Sequence, residues 1–322
     1  MSPILARGLL YPPGMPLARS VPPGKTYMLT RRVTRRTWLP RPDADGRSQQ
    51  IYLYTLAYNA SKHGILVHNL SQMSLHDHET VTDVLRTLPL FLEGFHRDLA
   101  HAMKCHRSWP GEFYDKHQTS RVELTCPAAL REKMAYVAVN PTDCGGVYDY
   151  EAWPGVTVKC NEIGEKVFVV KRPDVYFDAN NKHKNWPDEI GLRIVMPEML
   201  LREYGGLKEA QRALKSRCEE LASEARAKRQ ALGLGYGTPT RAVQAKFTRR
   251  SSSHEVLGAL NPTFATGGDP EAAEQAREAR AQFLSEYARC MALWRAGDRD
   301  VMWPPGTWKM RVLHKARCHP PP

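Results

Sequence analysis

The chain has 322 residues, of which 42% are hydrophobic and 25% are charged, and its mean hydropathy is −0.50. No apolar run approaches the roughly 20 residues that a membrane-spanning helix needs, which argues against a membrane protein. The net charge of +12 and the pI near 9.4 favour a polyanionic partner, most simply nucleic acid. A merely basic protein without such a partner is the alternative.

The cysteines indicate the redox environment. There are seven of them, scattered along the chain and without a C-x-x-C pair. This pattern argues against a disulfide framework or a zinc knuckle and favours the reducing cytoplasm. Residues 1–23 are predicted to be a flexible tail rather than a signal peptide. Pro12 and Pro13 interrupt their short apolar patch, and no small-residue cleavage site follows.

A basic segment follows the tail. Residues 24–42 alternate like a strand and contain no acidic residue. Four closely spaced arginines in this segment cannot all face a core, so we predict that they contact the phosphates of DNA: Arg31, Arg32, Arg35 and Arg36. A solvated basic loop is the other reading of this segment.

The hydrophobic periodicity up to residue 155 predicts alternating strands and helices. Helix signals include Gly64 as a C-terminal stop and Pro141 as a terminator, because proline disfavours helical geometry in the residue before it. The expected elements are a strand from 24, a helix over 43–64, strands over 65–73 and 76–83, a helix over 89–106, a strand over 120–125 and a helix over 127–141. This order predicts an α+β domain over 24–155, with an antiparallel sheet and helices packed on one face.

After residue 155 the pattern changes. Strand-like, proline-punctuated segments between 156 and 200 precede a long charged helix over 207–231 and a basic, serine-rich loop over 246–255. A further helix is expected to begin after Asp269, a good N-cap, with Pro270 in its first turn. Residues 156–322 are therefore predicted to be a mixed, largely helical C-terminal extension.

Two pairs of residues suggest chemistry. On a strand, His76 and His78 project from one face, and Tyr136 and Asn140 share a face of the helix over 127–141. If that helix packs beside the strand, two imidazoles and an amide oxygen could hold Mg²⁺ or Mn²⁺ beneath the phenol. The residues alone leave other readings open. A chain with twelve histidines often contains a His-x-His by chance, a helical tyrosine is usually core, and asparagine before proline commonly ends a helix.

The order of motifs resembles one family. The segments "MSLHDHETVTD" (73–83) and "YVAVNPTDCGGVYDYEAWPG" (136–155) are similar to the central motifs of the REP-associated tyrosine transposases. This family is a branch of the single-tyrosine HUH transposases of small bacterial insertion sequences. The opening "YMLTRRVTRRTWLPRP" resembles the family's entry strand. The C-terminal "LNPTFA" and "WRAGDRDVMWPPGTWKMRVLH" resemble the extension of a long-chain subgroup.

The resemblance implies an HUH, ferredoxin-like fold and a set of roles. His76 and His78 match the metal-holding histidines, Tyr136 matches the nucleophile, and Asn140 occupies the position of a third ligand. The implied activity is nicking and joining of single-stranded, hairpin DNA through a covalent 5′-phosphotyrosine, with Mg²⁺ or Mn²⁺ and no small-molecule cofactor. The extension would be a DNA-binding accessory. A bacterial, nucleoid-associated monomer or homodimer is expected.

The sequence departs from the family pattern at two positions. Asp77 stands between the histidines where a hydrophobic residue is usual, and Leu75 replaces an asparagine. A carboxylate on the core side of the strand is costly unless it is paired. Either the strand is exposed there, or an arginine pairs with Asp77, or the site is degraded. These departures favour one rival function, a DNA-hairpin-binding protein with impaired catalysis. A second rival, independent of them, is an unrelated RNA-associated or structural basic protein.

Overall fold

A computed structural model describes residues 18–116, 119–181, 184–251 and 262–320. Within these ranges the first seven elements follow the predicted order β-α-β-β-α-β-α. They are β1 (Lys25–Arg32), α1 (Arg47–His63), β2 (Ile65–Gln72), β3 (His76–Asp83), α2 (Leu88–Arg107), β4 (Ser120–Leu124) and α3 (Pro127–Asp143). Gly64 ends α1 in the left-handed region, at φ 62°, as the sequence predicts.

The first four strands form an antiparallel sheet in the order β2-β3-β1-β4. A β-α-β-β-α-β chain with this strand order has the ferredoxin-like arrangement, so the predicted fold class is confirmed. β1 is shorter than the basic segment that predicted it. After Arg32 the chain enters a 3-10 turn over Thr34–Arg36, in which Arg35 and Arg36 have φ values of 52° and 53°.

The helices do not all pack on one face of the sheet, and this part of the prediction is wrong. α1 and α2 cover one face of the sheet. There the hydroxyl of Tyr52 in α1 donates to Glu79 of β3 at 2.6 Å, and the Tyr52 ring contacts Phe95 of α2. α3 covers the other face, where Asn69 of β2 donates to the Met134 carbonyl at 2.8 Å. Strand residues alternate between faces, so His76 and His78 face α3 while Asp77 and Glu79 face α1 and α2.

The expectation that Pro141 terminates the helix predicted over 127–141 is also wrong. α3 continues to Asp143 with Pro141 inside its final turn. Proline has no backbone N–H to donate, but hydrogen bonds from the backbone amides of the residues that follow it close the final turn. The Cys144 amide donates to the Asn140 carbonyl at 2.9 Å, and the Gly146 amide to the Pro141 carbonyl at 2.8 Å. The penalty of the missing donor is small this close to the helix end.

The extension adds strands and helices to the domain. They are β5 (Val167–Lys171), β6 (Glu189–Arg193), α4 (Glu198–Tyr204), α5 (Leu207–Ala231), α6 (Pro239–Gln244), β7 (Phe264–Ala265), α7 (Pro270–Arg295) and α8 (Lys309–His314). The predicted helix over 207–231 is confirmed, and the Asp269 side chain caps α7 by accepting from the amides of Glu271 and Ala272. β7 joins the sheet parallel to β4, which makes the sheet mixed rather than purely antiparallel.

One hydrophobic core links the sheet to the first part of the extension. α5 packs on the outer side of α3 and buries Leu214, Cys218 and Ala222 there. A smaller cluster forms around Trp303, against Tyr287, Met291 and Trp294 of α7. The division between 24–155 and 156–322 stays a prediction. Most of the predicted tail (1–17) and the end of the serine-rich loop (252–255) lie outside the described residues.

In the part of the chain that the structure describes, no helix is both long enough and apolar enough to cross a bilayer.

Candidate functional site

The two histidines of β3 lie side by side on the face that α3 covers. Their ring centroids are 4.6 Å apart. His76 is half-buried at the start of the strand, and His78 is 4% exposed. The alternation of a strand, which predicted a shared face, thus brings the two rings into contact.

α3 brings the other two predicted residues to the histidines. The His76 Nε2 and Asn140 Oδ1 atoms are 2.9 Å apart. The Tyr136 ring centroid is 5.6 Å from that of His78. The spacing of four residues between Tyr136 and Asn140 is one helical turn, so both side chains face the strand. The structure therefore gathers into one cluster the four residues proposed from sequence for the metal and the nucleophile.

His78 has one partnered and one unpartnered ring nitrogen. Its Nδ1 lies 2.8 Å from the hydroxyl of Thr30, which is directly opposite on β1. Its Nε2 is buried without a hydrogen-bond partner. Burial, and then the nearby His76, lower the pKa of His78 well below its usual value, so the ring is neutral at pH 7. When Nδ1–H donates to Thr30, Nε2 carries a lone pair.

A buried acceptor nitrogen without a partner fits a metal ligand. Such an atom is otherwise costly, and the second nitrogen of a ligating histidine commonly bonds to a neighbouring group that fixes the ring. Among the described residues, no three His, Cys, Asp or Glu side chains converge to hold an ion. A metal at this position would therefore need the amide oxygen of Asn140 beside the imidazoles of His76 and His78.

Asp77 is buried on the opposite face, at 3% exposure, so the strand is not exposed there. Arg31 is its partner across the strand pair, and the Tyr114 hydroxyl donates to its Oδ2 atom at 3.3 Å. Burial raises the pKa of Asp77 to about 7, although the Tyr114 hydrogen bond and the Arg31 charge both act to lower it. Of the three readings that the sequence left open, an exposed strand is wrong. The Arg31 charge acts on Asp77 but does not offset its burial, and the Asp77 Oδ1 atom has no hydrogen-bond partner among the described residues.

Glu79 is a second buried acid, on the face of the sheet that α1 and α2 cover. The sequence did not indicate this acid. It is fully buried, and burial followed by the charge of Asp77 raises its pKa well above the usual value. The Tyr52 hydroxyl donates to it at 2.6 Å. These acids face α1 and α2, so the chemistry of the histidine cluster does not include them.

Two further side chains near the cluster were missed. The Lys133 Nζ atom lies 5.7 Å from the Tyr136 ring centroid, one helical turn before it. The Cys144 Sγ atom lies 3.5 Å from Asn140 Oδ1. The i, i+3 and i, i+4 spacings on α3 could have identified both.

The predicted DNA-binding arginines divide between the two faces. Arg32 pairs in register with His76, is exposed, and lies on the histidine face. Arg31 points to the other side, where its Nη2 donates to the Asp115 carbonyl at 3.0 Å and its guanidinium lies 4.9 Å from the Tyr114 ring.

The remaining two arginines lie in the turn after β1. Arg35 is exposed and Arg36 is half-buried, and the Arg36 carbonyl accepts from the Ser251 amide at 3.0 Å. A reversal of the chain, rather than a continuing strand, therefore presents them beyond the end of the sheet.

The chain is similar to several solved structures, and two of them are compared with it below. A structure of a REP-associated tyrosine transposase bound to a REP hairpin is 14% identical, with a TM-score of 0.36. The alignment covers 44% of this chain and 81% of that one. A Deinococcus radiodurans R1 protein assigned provisionally as a transposase is 18% identical, with a TM-score of 0.26 over 34% of this chain and 85% of that one.

No protein-family model matches the chain, and no curated protein does either. The first matched structure belongs to the family that the sequence motifs resemble.

Proposed function

We propose that this protein is a transposase-like endonuclease and strand transferase. It acts on single-stranded, hairpin-bearing DNA through a covalent 5′-phosphotyrosine intermediate and with a divalent metal. The single observation that supports the proposal most is the convergence of His76, His78, Tyr136 and Asn140 from two separate elements. The basic charge of the chain and the order of its motifs agree with it.

His76, His78 and Asn140 would hold Mg²⁺ or Mn²⁺ through two imidazole nitrogens and an amide oxygen. When bound, the ion would act as a Lewis acid toward a non-bridging oxygen of the scissile phosphate. Thr30 would fix the orientation of the His78 ring through Nδ1.

Tyr136 would perform the covalent step. Its phenolate oxygen attacks phosphorus, the bond from phosphorus to the 3′ oxygen breaks, and the departing oxygen takes a proton to become a 3′-OH. A second 3′-OH attacking the phosphotyrosine reverses these changes and rejoins the strand without an external energy source. A phenol with the ordinary pKa near 10 is a weak nucleophile at pH 7 and needs positive charge nearby. The Lys133 ammonium, 5.7 Å from the ring centroid, would provide part of that charge.

The exposed Arg32, next to His76, would guide the DNA backbone into the cluster, and Arg35 and Arg36 would extend this basic path past the end of β1. Arg31 would act less directly, because its guanidinium lies over Tyr114 on the other face.

The test of the proposal is to map the covalent bond. The full chain is incubated with Mn²⁺ and a library of DNA hairpins with unpaired flanks, and digested adducts are analysed by mass spectrometry. We expect a nucleotide-bearing peptide modified at Tyr136. Attachment at any other residue would contradict the assignment of the nucleophile.

One observation favours a second function, hairpin binding without chemistry. His78 and Asn140 are only 4% and 1% exposed, so a phosphate must displace neighbouring groups to reach them. This alternative predicts hairpin binding that chelators do not affect, together with no adduct under Mg²⁺ or Mn²⁺.

Metal binding itself gives a separate prediction. A ligand at one hundred times its dissociation constant stabilises a protein by about 2.7 kcal/mol, so saturating Mn²⁺ should raise the melting temperature of the wild type. His78→Ala should lose most of this increase, and Asn140→Ala part of it. Thermal melts with and without Mn²⁺ measure the effect. The exposed His101, on α2, provides the control: His101→Ala should respond as the wild type does. An undiminished response in folded His78→Ala would contradict the ligand assignment.

A further inference from the structure

A cluster of rings and guanidinium groups, of which one tyrosine is exposed and the rest are half-buried, lies where α3 and α5 both end. Its members are Tyr148, Arg226, Arg229 and Tyr236, here called the aromatic platform. The Tyr148 and Tyr236 ring centroids are 5.3 Å apart and nearly perpendicular. Tyr148 is 61% exposed, although its ring has an aromatic neighbour in Tyr236 and a cationic one in Arg226.

Arg226 fixes one side of the Tyr148 ring. Its guanidinium carbon lies 4.7 Å from the ring centroid, and its Nε donates to the Tyr148 carbonyl at 3.2 Å. The same side chain therefore holds both the backbone and the ring of Tyr148. The ring is held in place while much of its surface stays open to solvent.

Arg229 and Tyr236 repeat this arrangement one turn further along α5. The Arg229 guanidinium lies 5.0 Å from the Tyr236 ring centroid and donates to the Gly235 carbonyl at 2.6 Å. Gly145, at φ 74°, makes room for it, since a Cβ there would lie 2.1 Å from Arg229 Nη2. The Gly237 amide donates to the Gly145 carbonyl at 2.9 Å, which ties the loop carrying Tyr236 to the end of α3.

The aromatic platform continues directly from the helix that carries the candidate nucleophile. The Thr142 hydroxyl, in the last turn of α3, donates to the Tyr148 carbonyl at 3.1 Å. The Cys144 amide closes the same turn on the Asn140 carbonyl. The aromatic platform therefore lies against the last turn of the helix that carries Tyr136 and Asn140.

We propose that the aromatic platform stacks an unpaired nucleobase of single-stranded DNA. Every base presents a π face, and an exposed ring with a guanidinium beside it offers both a stacking partner and a cation for the adjoining phosphate. Duplex DNA hides its base faces and gains nothing from the ring. The inference deepens the proposed function, because it rests on the chain acting on single-stranded DNA and names the surface that holds an unpaired nucleotide.

The test uses a mixed-sequence single-stranded oligonucleotide with 2-aminopurine, whose fluorescence falls when it stacks, and the same sequence as a duplex. Binding is measured in chelator with the full chain, so that no cleavage contributes. Tyr148→Leu should weaken single-strand binding by a factor of about 5 to 150 and remove the quenching. Tyr148→Phe, which keeps the ring, should behave as the wild type, and duplex binding should be equal in all three proteins.

Equal single-strand affinity and equal quenching in Tyr148→Leu and the wild type would overturn the proposal. So would a matching loss of duplex binding, since that result would show a purely electrostatic surface. Neither outcome depends on covalent chemistry. A wild type that formed no adduct with DNA while still quenching 2-aminopurine, with the quenching lost in Tyr148→Leu, would give a different result. It would contradict the proposed function and support the aromatic platform.

Discussion

Tyr136→Phe is expected to abolish the covalent protein–DNA adduct and to lower strand cleavage by a factor of at least about 10³. The substitution removes one oxygen, the atom that would bond to phosphorus, and keeps the ring. The ring contacts with His78, at 5.6 Å between centroids, and with Lys133 remain possible. The fold should therefore be unchanged. The affinity for hairpin DNA should change by less than about twofold, as for a variant that lacks only a transition-state interaction.

Denaturing gel electrophoresis of labelled DNA with Mn²⁺ measures the adduct, and a binding titration in chelator measures affinity. Tyr148→Phe is the matched control, because it removes a phenolic oxygen from the same sequence motif but outside the histidine cluster. It should form as much adduct as the wild type. Persistence of the adduct in Tyr136→Phe would mean that another group is the nucleophile.

The local part of the site could be predicted because it depends on periodicity alone. His76 and His78 share a face since strand side chains alternate, and Tyr136 and Asn140 share a face since they are one helical turn apart. The end of α1 could be predicted as well, because Gly64 adopts a left-handed backbone conformation that glycine takes without strain.

The remaining features depend on which strands become neighbours, and periodicity does not contain that information. Thr30 supports His78 only because β1 pairs with β3 in one register. The same register sends Arg31 to the face of Asp77 and Arg32 to the face of His76, although the two arginines are adjacent in sequence. A slip of one residue would exchange these faces, so the division of the basic segment could not be predicted from the chain alone.

A buried ion network around Asp43 could not be predicted from the sequence either. Asp43, just before α1, is 9% exposed. Its Oδ1 accepts from Arg107 at 2.7 Å, its Oδ2 from His106 at 2.7 Å, and Arg41 lies within 3.0 Å. Burial by itself raises the pKa of Asp43, but the hydrogen bonds from His106 and Arg107 outweigh it and lower the pKa to about 2.

Asp43→Ala is therefore expected to lower the free energy of unfolding by about 3–5 kcal/mol at pH 7, because it leaves the buried Arg107 without its counter-ion. Urea denaturation measures this loss. Asp174→Ala is the control, since it breaks an ion pair of similar length, 2.9 Å to Arg47, between side chains that are 41% and 68% exposed. That exposed pair should contribute at most about 1 kcal/mol.

The pH dependence of the loss distinguishes an ionic contribution from simple loss of packing. The pKa of Asp43 is lower in the folded chain than its ordinary value of 3.8, so its stabilising effect is present above about pH 4. As the pH falls from there through about 2, the unfolded state takes up more protons than the folded state, and the contribution disappears. The difference between wild type and Asp43→Ala should shrink over this range. A difference that stayed constant would indicate that packing around Asp43, rather than its charge, holds α1 against the end of α2.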